Sequence, residues 1–249
     1  TSRDEISNIQ PNASFAIQQS APLTYTSAIG DTLTYDMRND PKNPTKGYFL
    51  TGGVDFAGVG FGVQYVSLSA EARGYYPIAD KVTFVTRAIG GTIMGWGGQD
   101  VRLIDLFFKG GETIRGFERA GIGPRDACEN PITGKGVKQC SKDPLGGQAF
   151  WAATAEARFP LPFIPDNLGM QGAVFVDTGS LWMASGLAES AVATEGSFIN
   201  DGPDVRLSTG VSLIWQSPLG PLRADLAQAL LKASFDRTAI FRFGASTAF

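Results

Sequence analysis

Three residues, far apart in the chain, have the types that do chemistry. Arg115 lies in a glycine-rich stretch, Lys109-Gly-Gly-Glu-Thr-Ile-Arg-Gly-Phe-Glu-Arg-Ala-Gly-Ile-Gly-Pro-Arg-Asp126. Its guanidinium is a planar fork whose natural counterpart is a carboxylate in fixed geometry. Two carboxylates further along, Glu156 and Asp177, are the candidates for that role. As a pair they also suit the general acid and base of glycoside hydrolysis, though Arg115 offers them a better partner. Other chemistry is limited by composition. The 249 residues contain no histidine, which excludes Ser-His-Asp and Cys-His nucleophiles and the usual zinc sites. No Walker-type glycine-lysine loop is present. The sequence thus points to no enzyme, no metal and no cofactor. A net charge of -3 and a pI near 5.1 argue against a nucleic-acid-binding face.

The elements that must position these residues are short alternating segments. Val66, Leu68, Ala70 and Ala72 face one way, while Tyr65, Ser67, Ser69, Glu71, Arg73 and Tyr75 face the other. Trp151, Ala153, Ala155, Ala157 and Phe159 likewise oppose Thr154, Glu156 and Arg158, and Val174 and Val176 oppose Phe175 and Asp177. Phe241, Phe243, Ala245, Thr247 and Phe249 oppose Arg242, Gly244 and Ser246. Strands with charge on one face and apolar groups on the other fit a lipid-out, polar-in barrel. A soluble β-sandwich would bury those charges in its core at a cost. The reading is nine strands from Ala28 to Phe249, with turns at Asn39–Gly47, Pro77–Asp80, Pro160–Pro165 and Ser217–Gly220. A long loop spans about 95–147 and a second spans about 184–203. Loops of such length are usually functional. Glu71, Arg73, Arg87, Arg206, Arg223, Asp225 and Arg242 are expected to line a wet lumen. Nine is odd for a bacterial barrel, and an unclosed sheet would expose edge groups to lipid. Further strands are therefore expected from elsewhere.

The polar start, Thr1-Ser-Arg-Asp-Glu5, is not a secretory signal, so a leader is expected to have been removed or the chain to be a fragment. The two cysteines, Cys128 and Cys140, fall in the long loop. Such placement suits a disulfide in an oxidising compartment; two unpaired thiols are the alternative.

Five ordered motifs carry a family resemblance over nearly the whole chain. They are Gly110-Gly-Glu-Thr-Ile-Arg-Gly-Phe117 with Gly121-Ile-Gly-Pro-Arg-Asp126; Phe175-Val-Asp-Thr-Gly-Ser-Leu-Trp182; Ser217-Pro-Leu-Gly-Pro221; Asp36-Met-Arg-Asn-Asp40 with Asn43-Pro-Thr-Lys-Gly47; and the terminal aromatic Phe249. Together they resemble the BamA family of outer-membrane assembly factors, within a superfamily that includes two-partner secretion transporters and organelle-import barrels. The resemblance implies an all-β, antiparallel transmembrane β-barrel in the bacterial outer membrane. Residues 28–249 would be the last nine of sixteen strands, residues 1–27 a surface loop, and 95–147 a loop folded into the lumen. The tetrad Ile114, Arg115, Gly116 and Phe117 would be latched by Glu156 and Asp177, either as a tuning device or as a static lumen-filling ion pair. The last strand, with Phe241, Phe243, Gly244 and Phe249, would form a lateral seam and terminal signal. The implied work is insertion of other barrel proteins. The implied partners are nascent outer-membrane barrel proteins, outer-membrane lipids and accessory lipoproteins. A translocating barrel of the two-partner secretion type and a passive porin are the alternatives.

Overall fold

In the computed structural model the chain is built from antiparallel β-structure, with only short helical turns. The structure describes residues 2–4, 13–19, 24–127, 142–162, 164–165, 168–189, 198–217 and 220–245. Its strands are β1 (Ser2–Asp4), β2 (Thr24–Asp36), β3 (Gly47–Gly62), β4 (Tyr65–Ala79), β5 (Val82–Gly95), β6 (Arg125–Ala127), β7 (Ala149–Pro160), β8 (Met170–Trp182), β9 (Phe198–Asn200), β10 (Arg206–Ser217), β11 (Gly220–Leu231) and β12 (Phe241–Ala245). Ten form one sheet in the order β1-β2-β3-β4-β5-β7-β8-β10-β11-β12, and β6 pairs with β9 apart from it. Every long strand is hydrogen-bonded to its neighbour in sequence order, the simple meander of an up-and-down barrel wall. Among the described residues no pairing joins β12 to β1 or β2.

Register keeps the two faces distinct across the wall. Arg73 lies opposite Arg87, Arg87 opposite Thr154, Thr154 opposite Asp177, and Asp177 opposite Ser208. These residues share the inner face. On the outer face Leu50, Leu68, Val174, Val176, Val211, Leu213, Leu226, Phe241 and Phe243 are all 40% or more exposed. So many exposed large apolar side chains on one face need an apolar solvent, and a lipid-facing wall supplies it. Tyr35, Tyr48, Tyr76 and Trp215 are exposed near the same end of the wall, where β2 ends and β3 starts, β4 ends and β5 starts, and β10 ends. That is the position of an interfacial aromatic girdle. Twelve to sixteen residues per long strand, at about 3.3 Å each, give a tilted strand ample length to span the hydrocarbon.

Three local readings change. Pro77 does not open a turn; it lies in β4 opposite Thr83, and the turn follows at Asp80 and Lys81. A register shift between Pro77 and Ala79 accommodates the missing amide donor, as prolines in sheets require. The first long strand starts at Thr24, and its beginning pairs with Ser2–Asp4. The two long loops also pair with each other, Arg125–Ala127 against Phe198–Asn200. Both segments are too short for periodicity to reveal.

Candidate functional site

The connection from β5 to β7 folds inward and delivers Arg115 to the inner face of the wall. A tight turn starts the approach, with the amides of Thr113 and Ile114 both donating to the Gly110 carbonyl at 2.8 Å. Ile114 is fully buried in an apolar cluster with Phe117, Ile122, Phe150, Ala152 and Leu181. Its space exists because position 179 is glycine: a Cβ there would stand 2.8 Å from Ile114 Cδ1. Burying one such side chain contributes about 1.5–3 kcal/mol. Gly116 has φ +90, and a Cβ on it would meet Ser208 Cβ at 3.3 Å and the Ala229 amide nitrogen at 3.4 Å. Both the backbone angle and the fit against β10 and β11 call for glycine. Beyond the tetrad the chain runs beside the β11–β12 connection. Phe117 bridges to Thr238, the Ala239 amide donates to the Gly116 carbonyl at 3.1 Å, and the Glu118 amide donates to the Arg237 carbonyl at 3.0 Å.

Arg115 is 9% exposed and uses most of its donors. Nε and Nη2 donate to the two oxygens of Asp177, each at 2.7 Å, and its backbone amide donates to Oδ2 at 2.9 Å. Nη1 donates to Glu156 Oε2 at 2.6 Å. The guanidinium carbon lies 3.4 Å from the centroid of the Phe175 ring, within cation–π range. Burial works to lower the guanidinium's pKa. The hydrogen bonds from Asp177 and the charges of Asp177 and Glu156 outweigh it and hold the pKa above its ordinary value.

The cluster is larger than a triad. Glu156, 3% exposed, also accepts from Arg158 Nε at 2.8 Å and from Arg223 Nη2 at 2.6 Å. Arg223 Nε donates to Asp225 Oδ1 at 2.7 Å, and Ser212 joins both. Three guanidiniums therefore face three carboxylates, and the buried cluster is neutral. Neutrality matters because an uncompensated buried charge costs several kcal/mol. Arg223 and Asp225 do line the inner face, but each is only 6% exposed and paired within the cluster.

A second buried pair anchors the β11–β12 connection. Arg206 donates from Nε and Nη2 to Asp236 at 2.9 and 3.1 Å, and both side chains are fully inaccessible. Arg206 is thus an anchor of the turn rather than a wet lining residue. The Ala233 amide also donates to Asp236, at 2.7 Å.

The structure brings Ile114, Arg115, Gly116, Phe117, Glu156 and Asp177 into one place. It keeps Phe241 and Phe243 apart from them, on the outer face at 61% and 64% exposure. Gly244 lies opposite Arg223, and a Cβ on it would meet nothing within 4 Å. Phe249, Cys128 and Cys140 lie outside the described residues. Sequence reasoning missed Arg158, Arg223 and Asp225 as members of the cluster. Their inner-face parity was readable, but parity does not say which row meets the loop. As for acid–base chemistry, Glu156 and Asp177 both accept hydrogen bonds from guanidiniums. Among the described residues no group of three or more His, Cys, Asp or Glu side chains is arranged to hold a metal ion.

Comparison with known proteins places this geometry. The family model for the Omp85 superfamily domain matches residues 1–249. The outer membrane protein assembly factor BamA of Neorickettsia risticii (strain Illinois) is 31% identical over 244 residues, covering 97% of this chain and 30% of that protein. BamA of Neisseria meningitidis serogroup B is 25% identical over 220 residues, covering 83% and 26%. The sorting and assembly machinery component 50 homolog of Mus musculus is 29% identical over 167 residues, covering 66% and 33%. The chain spans about a third or less of the length of these relatives. A crystal structure of BamA from Haemophilus ducreyi lacking POTRA domains 1-3 superposes with a TM-score of 0.73 at 28% identity, covering 87% of this chain and 41% of that one.

Proposed function

The chain belongs to the Omp85 superfamily, and from that membership we propose that it forms wall strands and the lumenal lock of a machine that assembles and inserts β-barrel proteins into the outer membrane. Its strands are those of an integral outer-membrane β-barrel. One observation carries the reading. A neutral buried ion cluster ties loop residue Arg115 to β7 and β8, and the same loop pairs with the connection leading into β12. The lock thus reaches the last strand of the sheet order. Among the described residues β12 pairs with β11 from Phe241 to Ala245 and with no strand on its other side.

A strand at the end of the sheet order presents the backbone donors and acceptors of its free edge to an incoming strand. The proposed partners are nascent outer-membrane barrel proteins, the surrounding lipids and accessory lipoproteins of the assembly complex. The proposed work has no covalent step, and Glu156 and Asp177 act as anchors for Arg115. The loop's hold on the lumen speaks against a passive porin.

The test uses the full-length protein in membranes. Phe243→Cys and Ala245→Cys variants should crosslink to a stalled barrel substrate, and Arg115→Ala should change that yield. Crosslinks that form only to the protein's own first strand, with substrate present, would overturn the templating reading.

A further inference from the structure

A cavity of about 530 Å³ lies on the inner face between the loop and the wall, bounded from β4 to β12. Its charged lining can be paired off. Arg115, Arg158 and Arg223 are balanced by Glu156, Asp177 and Asp225, and Arg242 meets Glu112 at 3.2 Å. Three lining cations then share one carboxylate. Arg73 and Arg87, directly opposite each other on β4 and β5, both donate Nε–H to the same Glu71 oxygen at 2.6 Å. Lys109 meets no carboxylate within ion-pair distance among the described residues. Its ammonium instead lies 4.0 Å from the Phe150 ring centroid and 5.5 Å from that of Phe107. Three cations against one carboxylate leave an excess of two positive charges. A neutral donor completes the set: Tyr75, 1% exposed, lines the same cavity beside Arg73, and its hydroxyl has no hydrogen-bond partner among the described residues.

We propose that this lumenal cavity binds a phosphate-type dianion, held by Arg73, Arg87 and Lys109 with the Tyr75 hydroxyl as an added donor. The argument is charge and donor count. Two guanidiniums opposite each other would repel, and Glu71 offsets only one of them. A phosphate carries about -1.5 to -2 charges at neutral pH and three acceptor oxygens, which matches the excess. Guanidinium forks fit such oxygens in pairs. Low-dielectric walls concentrate the field of like charges in a cleft. Burial, and next the neighbouring Arg87, push the Lys109 pKa down from its ordinary value, a penalty that a bound anion would relieve. The phosphate has two possible sources, free in solution or as the phosphate monoester of a lipid headgroup.

The experiment titrates inorganic phosphate into the full-length protein in zwitterionic micelles at low salt, followed by calorimetry. Saturable binding is expected. Arg87→Met should weaken it tenfold or more, and Glu71 keeps Arg73 in that variant, so the wall survives. Tyr75→Phe should weaken it severalfold by removing only a hydroxyl. Lys42→Gln, in an exposed turn, should leave it unchanged. Repeating the titration in nanodiscs separates the sources. Loss of free-phosphate binding in nanodiscs containing phosphatidic acid, whose headgroup is a phosphate monoester, but not in phosphatidylcholine assigns the site to headgroups, and equal binding assigns it to free phosphate. Equal phosphate binding in wild type and Arg87→Met, no binding in any lipid, or binding of an Asp/Glu hexapeptide without binding of phosphate would each overturn the proposal.

Discussion

Removing the Arg115 side chain should cost far more than removing that of Arg158, although both reach Glu156. The difference lies in what each leaves behind. Without Arg158, Glu156 keeps Arg115 and Arg223. Its remaining partners are charge-assisted and the loss is about 1–2 kcal/mol. Without the Arg115 side chain, Asp177 loses both guanidinium bonds and keeps one backbone amide. Asp177 is 1% exposed, so water does not readily replace what is lost. Stranding a buried charge costs about 3–5 kcal/mol. Arg115→Ala should therefore lower the urea midpoint of the refolded full-length protein well below that of Arg158→Ala. The decisive variant is the double one. If the cost comes from the stranded charge, Asp177→Asn in the Arg115→Ala background should recover part of it, because the amide still accepts from the residue 115 backbone. A double variant no more stable than Arg115→Ala would refute the stranded-charge account and leave lost packing against Phe175 as the cause.

Two further outcomes follow from the same geometry and a third from the sequence. Gly116→Val places a branched side chain at φ +90 against Ser208 and Ala229; at about 1–3 kcal/mol of strain, it should speed proteolysis of the loop over 96–127, and unchanged cleavage would contradict the fit. Arg206→Met strands Asp236, whose side chain is fully inaccessible; amide hydrogen exchange over 232–240 should rise while the turn at 80–81 stays protected, and a uniform rise would instead indicate a general loss of stability. Cys128 and Cys140 are expected to pair in the oxidising envelope; labelling the unreduced, denatured protein should find no thiol, and two labelled thiols would refute the pairing.

The wall was legible in the sequence because a strand's period of two is local information. Glu71 and Arg73 on one face, with Leu68 and Ala70 on the other, need no knowledge of neighbouring strands. Register is different, since it depends on turns and bulges. The shift between Pro77 and Ala79 and the late turn at Asp80 and Lys81 were invisible. So was the alignment of Thr154 with Asp177, which sets Glu156 and Asp177 on adjacent rows around the Arg115 fork. Asp177 could be picked out because it lies within a motif, and Glu156 because it lies on the inner face of the strand after the loop; the family resemblance tied both to Arg115. Asp236 could not: it lies in a non-periodic connection and acquires meaning only through Arg206, thirty residues earlier.

The lock around Arg115 contains arginines, carboxylates, a serine hydroxyl and an aromatic ring, and the whole chain lacks histidine. Histidine is the side chain whose ordinary pKa lies within reach of the modest acidification a cell envelope meets. The lock therefore has no imidazole through which a small change in acidity could open it. Its link to the rest of the wall is positional: Arg223 binds Glu156 with its side chain, while its backbone sits opposite Gly244 in the last strand. Sliding β12 along β11 pulls on the residue that bridges the wall to the lock. In the proposed machine the loop would then answer to the position of a strand, a mechanical catch rather than a chemical one.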